Sequence, residues 1–226
     1  MWSEQSLRSV ATNKSVESLP RRGRLQSLAD IAQIMHYNPG AEICSEGDLA
    51  RSWFELLAGV ARRYIIQSNG RRQILDLLFP GDFFGFTLDA HYGFIVEAVC
   101  EGTVAATYPR RLVESLADSD PFVARELRQV MFEAMARSKM QLMMVGHVTA
   151  VQKVGSFLVA MASRSPEASD NRVDLPVSRY DIADYLSLSV ETVSRSLTEL
   201  KRRGAIALPA TRTIRIVNWS AFDDSI

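Results

Sequence analysis

Turn-forming residues recur about every ten positions between residues 36 and 108. They include NPG at 38–40, EGD at 46–48, SNG at 68–70 and PGD at 80–82, and short apolar runs lie between them. This spacing predicts short antiparallel strands arranged as a sandwich or roll. The stretch SNG also predicts a β-hairpin with a type I′ turn, because Asn-Gly supplies the positive φ angles that this turn needs.

The composition and charge of the chain exclude several classes of protein. Its 226 residues are 47% hydrophobic, which is enough apolar material for a folded core. Lys and Arg together number 26, as do Asp and Glu, so a protein that binds a polyanion must concentrate positive charge locally. The sequence has no nucleophile–base pair, phosphate-binding loop or metal-ligand spacing, so we do not expect an enzyme.

Cysteine usage and hydropathy favour a cytoplasmic location. The only two cysteines, Cys44 and Cys100, lie far apart in apolar surroundings. That pattern fits buried thiols in a reducing compartment better than a disulfide or a metal site. No apolar run approaches the roughly 18 residues that span a bilayer, and the first residues lack the continuous apolar segment of a signal peptide. We therefore expect a cytoplasmic protein with no membrane partner.

A long helix is predicted to begin at Asp120-Pro121, because Asp caps helices and Pro suits the first turn. It continues to about residue 147 and carries a heptad-like seam. A dimerisation helix is favoured over an ordinary core helix, since the segment is long, rich in methionine and apolar on more than one face. The predicted dimerisation residues are Met131, Met135, Ser138, Leu142 and Val145.

Two short helices are predicted after residue 172. Ser178 caps the first, with Asp181 completing a capping box, and the helix stops at Ser187. Three residues later a second helix begins, with Ser189 as its cap and Glu191 at its positive end. Two helices joined by so tight a turn have the geometry of a helix-turn-helix.

The second short helix predicts a base-reading surface. On a helical wheel its apolar residues form one stripe, and Glu191, Ser194, Arg195 and Thr198 form a strip that points away from it. Arg can donate two hydrogen bonds to guanine, Glu can accept from cytosine, and Ser can do either. Val190, at the edge of the stripe, can touch a thymine methyl group. The predicted base-reading residues are therefore Val190, Glu191, Ser194 and Arg195.

Positive charge is concentrated around the same helix. Residues 189–215 hold six basic and two acidic residues inside a neutral chain. The segments AIAL and TIRIV predict a β-hairpin wing that can reach phosphates, and a purely structural, solvated helix pair is the weaker alternative. The predicted phosphate-contacting residues are Ser178, Arg179, Ser189, Thr192, Thr198, Lys201 and Arg212.

These features predict an α+β protein with four segments. Residues 1–27 form a flexible N-terminal tail, whose PRRGR is interpreted as solvated rather than as a phosphate-contacting arm. Residues 28–119 form an antiparallel β-roll, a sensor-like domain. Residues 120–147 form the dimerisation helix, and residues 148–226 form a winged helix-turn-helix DNA-binding domain.

Nearly the whole chain resembles the cAMP receptor protein/FNR superfamily of bacterial transcription regulators. HYNPGAEICSEGD and GRRQILDLLFPGDFFG are similar to its cyclic-nucleotide-binding-like roll, and TAVQKVGSFLVAMASR resembles the helix that leads into its DNA-binding domain. VSRYDIADYLSLSVETVSRSLTELKRRGAI resembles its helix-turn-helix. Within the superfamily, Glu191, Ser194 and Arg195 match the E-x-x-S-R pattern of the FNR and FixK branch. That implies an inverted repeat of TTGAT-like half-sites, with Val190 modulating the outer bases.

The resemblance also implies which cofactors to expect. The family's cAMP pocket needs an Arg-Ser pair, but Tyr92-Gly93 fall near that position and the loop is shortened, so we expect no cAMP. Residues 1–43 contain no cysteine, so we expect no iron–sulfur cluster and the FixK type fits best. Haem stays open, although His36, His91 and His147 are each better explained as structural or exposed. A glycine is common in family turns where Ser187 stands, so a left-handed Ser187 would cost about 1 kcal/mol.

The sequence thus predicts a cytoplasmic homodimer that binds a palindromic operator in double-stranded DNA. The resemblance implies activation through contact with RNA polymerase. One alternative is a regulator of the same family that is gated by haem or nitric oxide in the roll. Another is a ligand-binding regulatory module whose helix-turn-helix contacts protein instead of DNA.

Overall fold

The computed structural model describes residues 26–164, 172–210 and 213–225. Most of the expected tail, including PRRGR, and the predicted phosphate contact Arg212 lie outside these ranges. The chain divides into two compact units, each built from segments that are distant in sequence. Of the described residues, those up to 61 and those at 78–131 form the first unit, and those at 62–77 and from 132 onward form the second.

The described residues form eleven strands, five α-helices and two 3-10 helices, Gln26–Ile31 and Trp219–Ser225. The strands are β1 (Gln33–Tyr37), β2 (Glu42–Cys44), β3 (Ser52–Ala58), β4 (Ala61–Ile66), β5 (Arg72–Leu78), β6 (Phe83–Phe84), β7 (Ile95–Ala98), β8 (Thr103–Pro109), β9 (Arg172–Asp174), β10 (Ile206–Ala207) and β11 (Thr213–Ile216). The α-helices are α1 (Arg110–Ser119), α2 (Pro121–Gly146), α3 (Ala150–Arg164), α4 (Arg179–Leu186) and α5 (Val190–Arg202). None of the helices in the described ranges is long and apolar enough to cross a membrane.

The first unit contains the predicted antiparallel β structure. One of its sheets has the strand order β1-β8-β3-β6, and β2 pairs with β7 in an antiparallel ladder. Apolar residues of these strands form a core in which the rings of Phe54 and Phe84 stack with their centroids 5.1 Å apart. The α+β fold class and the β-roll are confirmed. Helix α1, whose Val113 is fully buried, was not predicted.

Helix α2 begins where the sequence predicts. Asp120 accepts a hydrogen bond from the backbone N–H of Phe122 at 2.8 Å, which caps the first turn. In the first unit, the helix buries Val123, Leu127 and Val130 in an apolar cluster that also contains Phe83 and Tyr108. The apolar side of this half of the helix is therefore covered by residues of the same chain.

The second unit contains the predicted winged helix-turn-helix. Helices α3, α4 and α5 pack together, with Phe157 of α3 edge-on to the ring of Tyr185 of α4 at 5.6 Å. The wing is confirmed, because β10 and β11 pair in antiparallel fashion. It is larger than expected, since β9 adds a third strand in the order β10-β11-β9.

The second unit also contains the hairpin of β4 and β5. The hairpin is confirmed, but the predicted type I′ turn is wrong. Gly70 has a φ of +78°, whereas Ser68 and Asn69 have negative φ angles. The backbone N–H of Gly70 donates to Gln67 O at 2.8 Å, and the N–H of Gln67 donates to Arg71 O at 2.9 Å. These contacts define a three-residue loop with a glycine bulge, which needs only one left-handed residue.

Candidate DNA-binding site

Helix α4 begins and ends through local side-chain chemistry. The Ser178 hydroxyl accepts from the backbone N–H of Asp181, and the Asp181 carboxylate accepts from the backbone N–H of Ser178, so the predicted capping box is present. Ser187 ends the helix in the left-handed region, with φ 55°. The backbone N–H of Leu188 donates to Ala183 O at 2.9 Å, which closes the turn.

Helix α5 is anchored by its apolar stripe. Ser189 caps it by accepting from the backbone N–H of Thr192 at 3.2 Å. Val193, Leu197 and Leu200 are almost fully buried, as the helical wheel predicts. Val190 is only half-buried, so its methyl groups stay within reach of a ligand. The stripe fixes which side of α5 faces solvent.

The predicted base-reading residues lie on the solvent side of the first two turns of α5. Glu191 and Arg195 are exposed, and Ser194 is half-buried. Hydrogen bonds from its own backbone N–H and from Ser189 lower the pKa of Glu191, and the charge of Arg195 lowers it least. Glu191 is thus held mainly by the N-terminus of the helix, where the sequence places it. It is ionised at neutral pH and able to accept from a base.

Arg179 is closer to the reading surface than predicted. Its guanidinium Nη1 donates to the Ser194 hydroxyl at 3.2 Å. The Ser194 oxygen then acts as an acceptor inside the protein, which leaves its hydroxyl hydrogen to donate outward. The sequence assigned Arg179 to phosphate and did not show this contact, because the two residues are 15 positions apart and lie on different helices.

Several predicted phosphate-contacting hydroxyls already donate within the protein. Ser178 donates to Asp181 Oδ2 at 2.7 Å, and Thr198 donates to Ser194 O at 3.0 Å. The hydroxyls of Ser189 and Thr192 lie 2.9 Å apart and share one hydrogen bond. Lys201 is exposed beyond them at the end of α5.

The basic end of α5 carries less free charge than the sequence suggests. Glu199 Oε1 accepts from Arg202 Nη2 and from Arg203 Nε, both at 2.7 Å. These two hydrogen bonds lower the pKa of Glu199 to about 2. The i, i+3 and i, i+4 spacing was visible in the sequence and predicts this pairing.

The predicted dimerisation seam lies on an uncovered face of α2. Leu142 is 74% exposed, Met135 is 63% exposed and Met131 is 47% exposed. Ser138 is exposed in the middle of the seam, and Val145 is half-buried at its end. Such exposure of long apolar side chains on one helix is unusual for a surface that faces only water.

The segment of the roll where the family's phosphate-binding pair is expected lacks the arginine of that pair. Residues 84–98 contain no Arg or Lys that could compensate a phosphate charge. Tyr92 is 4% exposed and lies in the apolar core. Its hydroxyl donates to Ser52 O at 2.6 Å and accepts from Ser52 N at 3.2 Å. The position expected for the phosphate-binding Arg-Ser pair is thus occupied by an aromatic residue that is part of the core.

The histidines and cysteines offer little to a metal. In residues 26–164, 172–210 and 213–225, no three His, Cys, Asp or Glu side chains are grouped so that they could hold an ion. Nε2 of His147 lies 2.9 Å from the Ser156 hydroxyl, a contact that ties the end of α2 to α3. Cys44 is buried, and Cys100 is half-buried with its sulfur 3.7 Å from Thr103 Oγ1.

Comparison with known proteins matches both parts of the chain. Residues 34–120 match the cyclic nucleotide-binding domain, and residues 152–224 match the Crp-like helix-turn-helix domain. The nitrogen fixation regulation protein FixK of Rhizobium meliloti is 39% identical over 185 residues, which cover 82% of this chain and 83% of that protein. The chain belongs to the Crp/FNR superfamily. It is a transcription regulator with a helix-turn-helix DNA-binding domain, and it is not an enzyme.

Other members of the Crp/FNR superfamily support this placement. FixK of Azorhizobium caulinodans is 34% identical over 223 residues, covering 97% of this chain and 87% of that protein. The solved structure of FixK2 from Bradyrhizobium japonicum has a TM-score of 0.79 at 31% identity, covering 86% of this chain and 96% of that one. The resemblance to FixK-type regulators is therefore confirmed in both sequence and structure.

Proposed function

We propose that this Crp/FNR regulator is a homodimer that reads an inverted repeat of TTGAT-like half-sites and activates transcription. The observation that carries the proposal is the surface of α5. Glu191, Ser194 and Arg195 face solvent on its first two turns, beside the stripe that anchors the helix. Their side chains can accept from cytosine and donate to guanine or thymine, which suits major-groove reading.

Dimerisation is supported by the exposed face of α2. A second copy of the same helix would cover the seam of Met131, Met135, Ser138, Leu142 and Val145. A symmetric dimer would place two α5 helices about 34–36 Å apart, one turn of DNA, which is what an inverted repeat requires.

Activation is supported by named relatives. AadR of Rhodopseudomonas palustris, a transcriptional activatory protein, is 31% identical over 195 residues. FnrL of Cereibacter sphaeroides, a transcriptional activator protein, is 28% identical over 214 residues. By this analogy the protein activates transcription, and the family resemblance implies that it does so through contact with RNA polymerase. We propose further that it binds neither cAMP nor an iron–sulfur cluster, since Tyr92-Gly93 fall near the position of the phosphate-binding pair and residues 1–43 contain no cysteine.

Fluorescence anisotropy with labelled duplexes tests the DNA-binding proposal. The protein should bind a duplex with two TTGAT half-sites more tightly than a duplex of the same composition with both half-sites scrambled. Glu191→Ala and Arg195→Ala should each cost about 1–3 kcal/mol on the cognate duplex and little on the scrambled one. Lys201→Ala is the matched control, because loss of a phosphate contact should weaken both complexes alike. Equal losses on both duplexes for the first two variants would contradict base reading.

The absorbance spectrum of freshly purified protein tests the cofactor proposal. A protein without haem or an iron–sulfur cluster shows only the ultraviolet absorbance of its Trp and Tyr side chains. A Soret band would support the alternative of a haem-gated regulator, and a broad iron–sulfur shoulder would overturn the FixK-type assignment.

A further inference from the structure

In the second unit, the hairpin of β4 and β5 is bound to the first helix of the helix-turn-helix by ion pairs. Arg62 Nη1 lies 2.7 Å from Asp181 Oδ1, and Arg72 Nη2 lies 2.8 Å from the same oxygen. Arg72 Nη2 also lies 2.7 Å from Asp184 Oδ2. Two arginines of the hairpin thus hold two carboxylates on one side of α4.

A second set of hydrogen bonds reaches the turn between the two DNA-binding helices. Gln73 Nε2 donates to the backbone carbonyl of Asp184 at 2.6 Å. Gln73 Oε1 accepts from the hydroxyl of Ser187 at 2.9 Å. Ser187 is the left-handed residue that sets the angle between α4 and α5, so the hairpin holds this residue directly.

The other side of the hairpin is bound to α2. Arg137 Nε donates to Asp76 Oδ2 at 3.3 Å, and Asp76 is only 3% exposed. Gln141 Nε2 donates to the carbonyl of Ile74 at 2.6 Å and lies 3.4 Å from the carbonyl of Tyr185 in α4. The hairpin therefore bridges the second half of α2 and the helix-turn-helix.

Asp181 connects this bridge to the start of α4. It is 2% exposed, and it is also the acid of the capping box. Burial would raise the pKa of Asp181, but hydrogen bonds from Ser178 and the charges of Arg62 and Arg72 lower it overall. The carboxylate stays ionised at neutral pH, so the bridge and the cap depend on the same charge.

We propose that Arg62, Arg72 and Gln73 are positioning residues for operator binding. They hold the helix-turn-helix in one orientation relative to the second half of α2, which carries most of the dimerisation seam. Glu191 and Arg195 are exposed while the hairpin contacts α4, so these contacts leave the reading surface open and favour DNA binding. The inference rests on the proposed function, binding of an inverted repeat by a dimer.

The contacts of the hairpin with α2 and α4 are expected to affect the affinity for DNA with two half-sites and not for DNA with one. A duplex with a single half-site needs only a folded helix-turn-helix. A duplex with two half-sites needs both reading helices at a fixed spacing and angle. If these contacts are lost, the two helix-turn-helices of the dimer must lose conformational freedom when they bind. This entropy cost lowers the affinity for the full operator only.

The test compares binding to a full inverted repeat and to a single half-site by fluorescence anisotropy at low salt. The variants are Arg62→Gln, Arg72→Gln and the double variant, with Arg71→Gln as the matched control at the exposed hairpin tip. The double variant should lose about 10- to 100-fold on the full operator and less than about twofold on the half-site. Arg71→Gln should change neither affinity.

Gln73→Ala provides a second variant, because it removes the hydrogen bonds to the Asp184 carbonyl and the Ser187 hydroxyl but leaves the three ion pairs of Arg62 and Arg72 intact. It should lose roughly 3- to 10-fold on the full operator alone. Equal losses on both duplexes, or no loss on the full operator, would overturn the positioning role. If the wild-type protein does not distinguish operator from scrambled DNA, the proposed function fails instead, and the two failures are thereby distinguished.

Discussion

Replacing Leu142 with glutamate should separate the dimer without unfolding the protomer. Leu142 lies at the centre of the second half of the seam and is 74% exposed in the protomer. A polar residue at this position changes the stability of the isolated protomer little, because the side chain already faces water. In a dimer the same position is covered by the partner helix, so the substitution acts almost entirely on association.

The expected magnitude follows from that exposure. Complete burial of a leucine side chain is worth about 1.5–3 kcal/mol. With most of the side chain still available for burial, each copy contributes about 1–2 kcal/mol to association, and a symmetric dimer has two copies. Two glutamates placed in an apolar seam add about 2 kcal/mol of desolvation and repulsion. The total of about 4–6 kcal/mol corresponds to a dissociation constant raised by about 10³- to 10⁴-fold.

Sedimentation equilibrium at micromolar protein measures this change. The wild type should have twice the protomer mass of 25.2 kDa, and Leu142→Glu should have the protomer mass. Leu88→Glu is the matched control, because Leu88 is 101% exposed and lies outside the seam. Thermal unfolding should be nearly unchanged in both variants. A Leu142→Glu protein that keeps the dimer mass would refute the seam.

Three further predictions concern other parts of the molecule. Arg179→Ala frees the Ser194 hydroxyl to accept as well as donate. Competition binding should therefore show discrimination at one base pair that is weaker by about 1 kcal/mol. An equal loss of affinity on all sequences would indicate that Arg179 contacts phosphate only. A Cβ at Gly59 would lie 2.6 Å from Thr103 Cα at a φ of +76°, so Gly59→Ala should cost roughly 2–4 kcal/mol in urea unfolding. Because the pKa of Asp181 is lowered from 3.8, its stabilisation is present above that pH and lost as pH falls below it. Asp181→Asn should thus lower the free energy of unfolding by about 3 kcal/mol at pH 6, and this difference from the wild type should become smaller in acid. A difference that does not change with pH would contradict the ion pairs.

Local chemistry was predicted well from the sequence. The cap of α2 at Asp120, the capping box of α4 and the buried stripe of α5 each depend on residues within a few positions of one another. Their signals are therefore complete in a short stretch of sequence. Ser187 was identified as the position where a left-handed residue would matter, because a glycine is common there in family turns.

Contacts between distant segments were not predictable in the same way. Arg62 and Asp181 are 119 positions apart, and neither has a local pattern that identifies the other. The hairpin turn failed for a different reason, since Asn-Gly is compatible with more than one loop and the loop length decides between them. Strand β9 was not predicted, and its pairing with β11 is also non-local.

The bridge made by β4 and β5 limits how freely this DNA-binding part could be exchanged between regulators. A fragment cut at residue 148, where the sequence suggests a boundary, would leave Asp181 and Asp184 without Arg62 and Arg72. A chimera that took this helix-turn-helix without residues 62–77 would need matching arginines in the hairpin that replaced them. The hairpin and α4 are therefore expected to change together during evolution, with a substitution at Arg72 compensated at Asp181 or Asp184.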